Sequence, residues 1–346
     1  MKIHAYFVCF NEERILPAIL DYYSGLCSKI FIFDNGSTDS SKEIALSYEK
    51  VKFIPFDTKG MKDNKKHSQI KTEEYKKYSR EGGCYTDEVA DWIICCDMDE
   101  VIYAPNLIEI LKIYKEKGIT VPQITGFDMV GENNISSENI LDQYDLGVRS
   151  VTFDKRAVFD VDFDMSYTKG CHSYGPGFEL MKDTYGYNSS NEFPIALLHY
   201  KHVGDLLYES AVKNLDRFDV NNIKKLPDGK YIGPGAYYLF YKEKGPEFQP
   251  HLKGADKVLG SNHTVLFDDF IPTVGDLGED RKKVAIAGMD LSSSEINTIR
   301  DSAVKLEDIN LKIACELMTI ALRLRPSGPF LQKKVKEYKD KLSAVK

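Results

Sequence analysis

The chain has one tryptophan, no C-x-x-C pair, no excess of basic charge and no long apolar run. Lys plus Arg number 46 against 53 Asp plus Glu, a formal net charge of −7. That balance speaks against a dedicated nucleic-acid binder, whose footprint is a basic excess. It leaves room for an anionic ligand at one local site. No stretch reaches the roughly 18 apolar residues that a spanning helix needs. Met1-Lys2-Ile3-His4 runs straight into a strand-like segment without a signal-peptide core, so a cytoplasmic protein is expected. The seven cysteines are odd in number, and Cys9, Cys95 and Cys96 lie inside apolar runs. They read as reduced, buried thiols rather than a disulfide framework. What is present is a 42% apolar, 29% charged chain of 346 residues, enough for a sizeable core and about two domains.

The first hundred residues alternate buried-strand and helix patterns. Ile3 to Phe10, Lys29 to Phe33, Val51 to Pro55 and Trp92 to Cys96 are short apolar runs of the kind found in parallel strands covered on both faces. Between the first two, Ile15, Leu16, Ile19, Leu20 and Tyr23 share one helical face, which Gly25 would end. The repeat is βαβ, so an α/β fold is expected. Residues 58 to 83 are strongly polar and read as a loop followed by a helix, and the last fifty residues read as helices.

Polar residues follow three of these strands. Asp97 and Asp99 follow WIICC, and residues i and i+2 of a strand point to the same side. Two carboxylates so placed repel unless a cation joins them, and Mg²⁺ or Mn²⁺ is commonly held by one or two carboxylates with phosphate oxygens. Asp34-Asn35-Gly36-Ser37-Thr38-Asp39 follows KIFIF, where Gly36 permits a tight turn and the hydroxyls can cap a helix. Phe10-Asn11-Glu12-Glu13 ends the first strand. In an open α/β sheet the carboxyl edge is where ligands bind, so the three segments are expected to converge on one pocket.

In that order these segments resemble the family 2 glycosyltransferases, and more closely the branch with an N-E-E segment, a D-N-G-S-T-D turn and D-x-D-E. The resemblance implies a GT-A fold: an α/β nucleotide-diphospho-sugar transferase sandwich, here with a mostly helical C-terminal extension. By that likeness Phe10, Asn11, Glu12 and Asp34 hold the nucleoside. Asp97 and Asp99 bind Mn²⁺ or Mg²⁺ on the diphosphate of a UDP- or GDP-type donor. A sugar, hexosyl in type, would pass with inversion to a glycan or lipid-linked acceptor hydroxyl, as in polysaccharide biosynthesis. Gly126-Phe127-Asp128, Gly170-Cys171-His172 and Leu198-His199-Tyr200 also look like pieces of that branch. The likeness covers 1–205 as a catalytic domain and leaves 206–346 as an accessory region, irregular and then helical.

An inverting transfer needs a base for the acceptor hydroxyl. Asp128 is the first candidate, with Glu132 as the alternative. His199 could complete the metal shell, and His172 could contact the diphosphate. Lys201 could contact phosphate, though a solvated lysine is the more ordinary reading, and His202, His251 and His263 read as surface residues. The tail from Phe330 carries six Lys against one Glu and one Asp. With Leu331, Val335, Tyr338 and Leu342 it could touch an anionic membrane, though packing on the protein is the more ordinary fate of such a helix. Two rival functions stand. A haloacid-dehalogenase-like phosphatase would use Asp97 as nucleophile, but its motif opens the domain, whereas here about ninety residues of βαβ pattern precede it. A non-catalytic carbohydrate-binding relative would keep the acids without turnover. The missing G-x-G-x-R and G-x-G-x-x-G loops speak against a nucleotidyltransferase and a dinucleotide oxidoreductase.

Overall fold

The computed structural model describes residues 1–136, 139–167, 189–266, 293–307, 309–324 and 329–344. The chain divides into two compact units, Met1–Phe270 and Ile271–Lys346. In chain order the strands of the first unit are β1 (Ile3–Cys9), β2 (Lys29–Asp34), β3 (Val51–Pro55), β4 (Trp92–Asp97), β5 (Glu100–Tyr103), β6 (Ile124–Gly131), β7 (Leu146–Arg149), β8 (Val158–Asp160), β9 (Ile195–Val203), β10 (Lys224–Lys225), β11 (Tyr231–Ile232) and β12 (Asp256–Lys257). Among the described residues its helices are α1 (Leu16–Leu26), α2 (Ser41–Leu46), α3 (Asn64–Tyr78), α4 (Leu107–Glu116), α5 (Ile140–Gln143), α6 (Leu206–Leu215) and α7 (Ala236–Lys244).

This unit is α/β with two mixed five-stranded sheets, ordered β3-β2-β1-β4-β8 and β12-β7-β6-β9-β5. In the first sheet β3, β2, β1 and β4 are parallel and β8 is antiparallel to β4. Strand alternation explains the apolar runs. Ile3, Ala5, Phe7 and Cys9 of β1 join a core with Leu16, Ile19, Leu20 and Tyr23 of α1 and with Phe127 and Leu198 of the second sheet. Tyr6 of the same strand joins another core with Phe31, Ile93 and Cys95, under Ile70 and Tyr75 of α3. Both faces are covered, so β1 is apolar but for His4, which is fully buried and bonded to Ser79 and Glu88. The chain leaves the first sheet at Asp97 and enters the second at Glu100, so the D-x-D segment is the crossing between them. Tyr23 of α1 braces that crossing: its hydroxyl donates to Glu100 O at 3.1 Å and accepts from Ile102 N at 3.0 Å.

Several expectations change. Gly25 lies inside α1, which runs on to Leu26. Residues 206–266 belong to the first unit, and β12 pairs with β7 of the second sheet. Buried thiols are found at Cys9, Cys27, Cys95, Cys96 and Cys315, and an exposed one at Cys84. Cys171 lies outside the described residues. No helix among the described residues is long and apolar enough to cross a membrane.

In the second unit α8 (Ser293–Leu306), α9 (Leu311–Leu324) and α10 (Pro329–Ala344) enclose Ala303, Ala314, Met318, Leu331, Val335 and Tyr338. Leu331, Val335 and Tyr338 of α10 are therefore packed inside this unit, the more ordinary of the two fates expected for that helix. Lys334 and Tyr338 both bond Glu307, at 2.8 and 2.5 Å.

Two glycines test the packing in opposite directions. A Cβ on Gly126 would stand 2.4 Å from the Phe153 backbone, whereas Gly25 has nothing within 4 Å. Gly126→Ala is expected to cost on the order of 1–3 kcal/mol in urea denaturation. Gly25→Ala is expected to gain about 0.4–1 kcal/mol by reducing the freedom of the unfolded chain.

Candidate active site

The first two motifs bond to each other. Asp34 ends β2, and its carboxylate accepts from Gly36 N at 3.1 Å and Ser37 N at 3.0 Å, with the Ser37 hydroxyl on its other oxygen. Gly36 has φ 77°, the left-handed region that favours glycine. Ser37 Oγ accepts from Asn11 N at 2.8 Å, and Asn11 Oδ1 accepts from Thr38 N at 2.7 Å. Glu13 accepts from Ser40 N at 2.9 Å, and Asp39 accepts from Glu13 N at 3.1 Å. Asn11 itself sits at φ 53°, which asparagine tolerates better than most residues. Much of the polar capacity that suggested nucleoside contacts thus organises the two loops that rim the pocket. Glu12 and Phe10 face the cleft. Glu12 pairs with Lys213 of α6 at 2.6 Å, and the Arg217 guanidinium lies 3.8 Å over the Phe10 ring. Burial outweighs the Lys213 charge and pushes the Glu12 carboxyl up.

At the sheet crossing, Asp97 is held by two lysines. Lys71 of α3 reaches Oδ1 at 2.6 Å and Lys155 reaches Oδ2 at 3.0 Å. Lys155 is 2% exposed and also bonds Glu100, which is fully buried. Burial would raise the Asp97 carboxyl, but the Lys155 and Lys71 charges hold it well below the usual carboxylate range. Neither lysine stood out in the sequence. Lys71 lies in a helix polar almost throughout, and Lys155 lies in an irregular stretch.

On the second sheet, β9 places His199 opposite Glu100 of β5 and Asp128 of β6. His199 Nδ1 meets Asp128 Oδ1 at 2.6 Å, and Nε2 meets Asp99 Oδ2 at 3.4 Å. Phe153 stacks on the imidazole with centroids 4.0 Å apart. Burial would lower the His199 pKa, but the two carboxylates raise it to about 9. Burial likewise acts to raise Asp99, yet the His199 charge and hydrogen bond and the Lys201 charge hold it below its ordinary value. His202 is buried rather than a surface residue, and burial pulls it down to about 3. Its ring centroid lies 4.5 Å from that of His251, and Asp128, His202 and His251 each bring a ligand atom within 4.8 Å of the others.

These groups line a cleft of about 610 Å³ at the carboxyl ends of β1 and β4, walled also by Lys62, Lys71, Lys201 and Arg217. A smaller pocket of about 360 Å³ shares Glu12, Asp99 and Lys201 with it. Lys201 is no solvated lysine: its ammonium lies 5.4 Å over the Tyr237 ring. Lys213, Arg217, Tyr237 and His251 show that residues beyond 205, where no chemistry was legible, supply part of the wall. Asp34 is absent from both linings, and Glu132 is exposed beyond them. His172 lies outside the described residues.

No family model matches the chain, and no curated protein matches it. Among solved structures, residues 1–349 of S. aureus TarS are similar at 11% identity and TM-score 0.38, covering 98% of this chain and 89% of that one. Glucosyl-3-phosphoglycerate synthase from Mycobacterium tuberculosis, in complex with Mn²⁺, UDP and glucosyl-3-phosphoglycerate, is similar at 16% identity and TM-score 0.22. That match covers 36% of this chain and 44% of that one. Likeness this low carries neither fold nor activity across, so the function is argued from the residues.

The His199 charge has a measurable consequence. Its folded pKa is raised from 6.5 to about 9. The stability it contributes is therefore fully present below pH 6.5 and lost as pH rises through 9. With metal chelated, the thermal midpoint should fall across that window, and His199→Gln should flatten the fall. An equal fall in the variant would contradict the assignment.

Proposed function

We propose that the chain is a glycosyltransferase of the GT-A type that uses a nucleotide-diphospho-sugar. The observation that carries this reading is the cleft itself. It lies at the carboxyl edge of the parallel strands, and its wall combines Lys62, Lys71, Lys201 and Arg217 with the carboxylates of Glu12, Asp97 and Asp99. The cations suit a diphosphate, and the acids suit sugar hydroxyls and a divalent ion. The chain's overall acidity does not have to be offset by a metal alone, because four basic side chains reach the same cleft.

Mn²⁺ or Mg²⁺ fits Asp99 and His199 best. Their facing atoms are 3.4 Å apart, close to the separation of two ligands each about 2.1 Å from one ion. Asp97 fits less well, since Lys71 and Lys155 bond both its oxygens. When bound, the ion supplies positive charge to the departing diphosphate. Lys71, held on Asp97, and Lys201 line the cleft where phosphate oxygens would sit, and Arg217 over Phe10 closes the nucleoside end. Asp128, expected as the acceptor base, is bonded to His199 and only 5% exposed. We assign it the task of holding the imidazole with Nε2 turned toward Asp99.

The test is a thermal-shift panel of UDP- and GDP-sugars with and without Mn²⁺. Binding raises the melting temperature by mass action, so the panel ranks donors without a known acceptor. Asp99→Ala should abolish the Mn²⁺-dependent part of the shift and the transfer of sugar. Lys71→Ala should weaken donor binding even without metal, by about tenfold for one charge-assisted contact. Robust, Asp97-dependent turnover of p-nitrophenyl phosphate would instead establish the phosphatase. Metal-dependent nucleotide binding without hydrolysis or transfer would favour the carbohydrate-binding relative.

A further inference from the structure

We infer that Asp128, His202 and His251 form a second metal site, of two imidazoles and one carboxylate, that takes a transition ion of the Zn²⁺ or Co²⁺ kind. Three observations converge on it. The three side chains bring ligand atoms within 4.8 Å of one another. His202 Nε2 stands 3.8 Å from Asp128 Oδ1. That is too long for a hydrogen bond, but within the span of about 4.2 Å open to two ligands of one ion at about 2.1 Å each. The His202 and His251 rings lie with centroids 4.5 Å apart, and both side chains line the cleft.

The donor set decides the class of ion. Two imidazoles and one carboxylate suit Zn²⁺, Co²⁺ or Ni²⁺, whereas Mg²⁺ asks for an oxygen shell. The site therefore differs in chemistry from the ion proposed on Asp99 and His199, and it does not depend on what the cleft transfers. Its geometry gives it a structural effect. His202 belongs to β9, while His251 follows α7 in a segment tied to the end of β9 by Gln249 Nε2 donating to Gly204 O at 2.6 Å. An ion shared by the two histidines would staple that segment over the cleft. Asp128 would bridge it to His199, so the two sites would sense each other.

The test uses the full-length protein stripped of metal by chelator, with no nucleotide present. Titration with Zn²⁺, Co²⁺ and Mg²⁺ by calorimetry should show an equivalent of Zn²⁺ or Co²⁺, retained in Asp99→Ala, bound at least about 100-fold more tightly than Mg²⁺. The Co²⁺ form should show the visible absorption of a nitrogen-containing site of low coordination number. His251→Ala removes a half-buried ligand outside the core and should lower Zn²⁺ affinity by more than about tenfold. His202→Gln should do the same, and both should lose the Zn²⁺-induced rise in melting temperature. Asp99→Ala should leave the Co²⁺ spectrum in place. The inference is overturned if Zn²⁺ binds no better than Mg²⁺. It is also overturned if both histidine variants bind as the parent does, or if the spectrum disappears with Asp99→Ala instead. Because no sugar donor enters the assay, its failure would leave the transferase reading standing, and the reverse is equally true.

Discussion

Everything at the cleft depends on how the chain crosses between its two sheets. Asp97, the last residue of β4, and Glu100, the first of β5, are separated by two residues, and both carboxylates meet the Lys155 ammonium. Buried charges are costly unless they are paired and hydrogen-bonded. Lys155 is tolerated because two acids face it, and the acids because Lys155 and Lys71 face them. The pairing requires β4, β5, α3 and the segment before β8 to arrive together. Asp99 is held between these fixed ends with its carboxylate turned to the cleft.

A second constraint follows from the sheet register. Pairing of β9 with both β5 and β6 sets His199 between Glu100 and Asp128. A slip of one residue would turn His199 to the opposite face and separate it from Asp99. The bulge between Asp128 and Val130 then shifts the later pairing so that His202 lies across from Val130. Pairing ladders and one irregularity thus bring an alternating set of acids and histidines to one wall. Their charges are mutually sustaining: the carboxylates keep His199 protonated when no metal is bound, and His199 keeps them ionised.

The α/β architecture was legible because parallel strands covered on both faces must be largely apolar. Four such runs, separated by helical spacing or polar turns, leave few alternatives. The strand ends were legible as sites for a related reason: a carboxylate directly after a buried run either meets a cation or pays for its burial. The same local logic could not say which partner each polar residue chooses. Asn11 and Asp34 look like ligand contacts in sequence, and the structure occupies Asn11 with Ser37 and Thr38 of the neighbouring turn and Asp34 with its own turn. Lys71 and Lys155 look like ordinary lysines, and both are buried against Asp97. His202 and His251, nearly fifty residues apart, carry no mutual signal at all.

By itself, then, the sequence determined the class of fold, the order of its strands along the chain and the places where acids would stand at strand ends. Those are local consequences of periodicity and of burying apolar side chains. Only the tertiary structure decided how strands β5 to β9 pair, that residues 206–266 join the first unit, and which charges neutralise which. Such pairings join residues tens to hundreds of positions apart. Their energies depend on distance and burial, and neither is encoded in spacing along the chain.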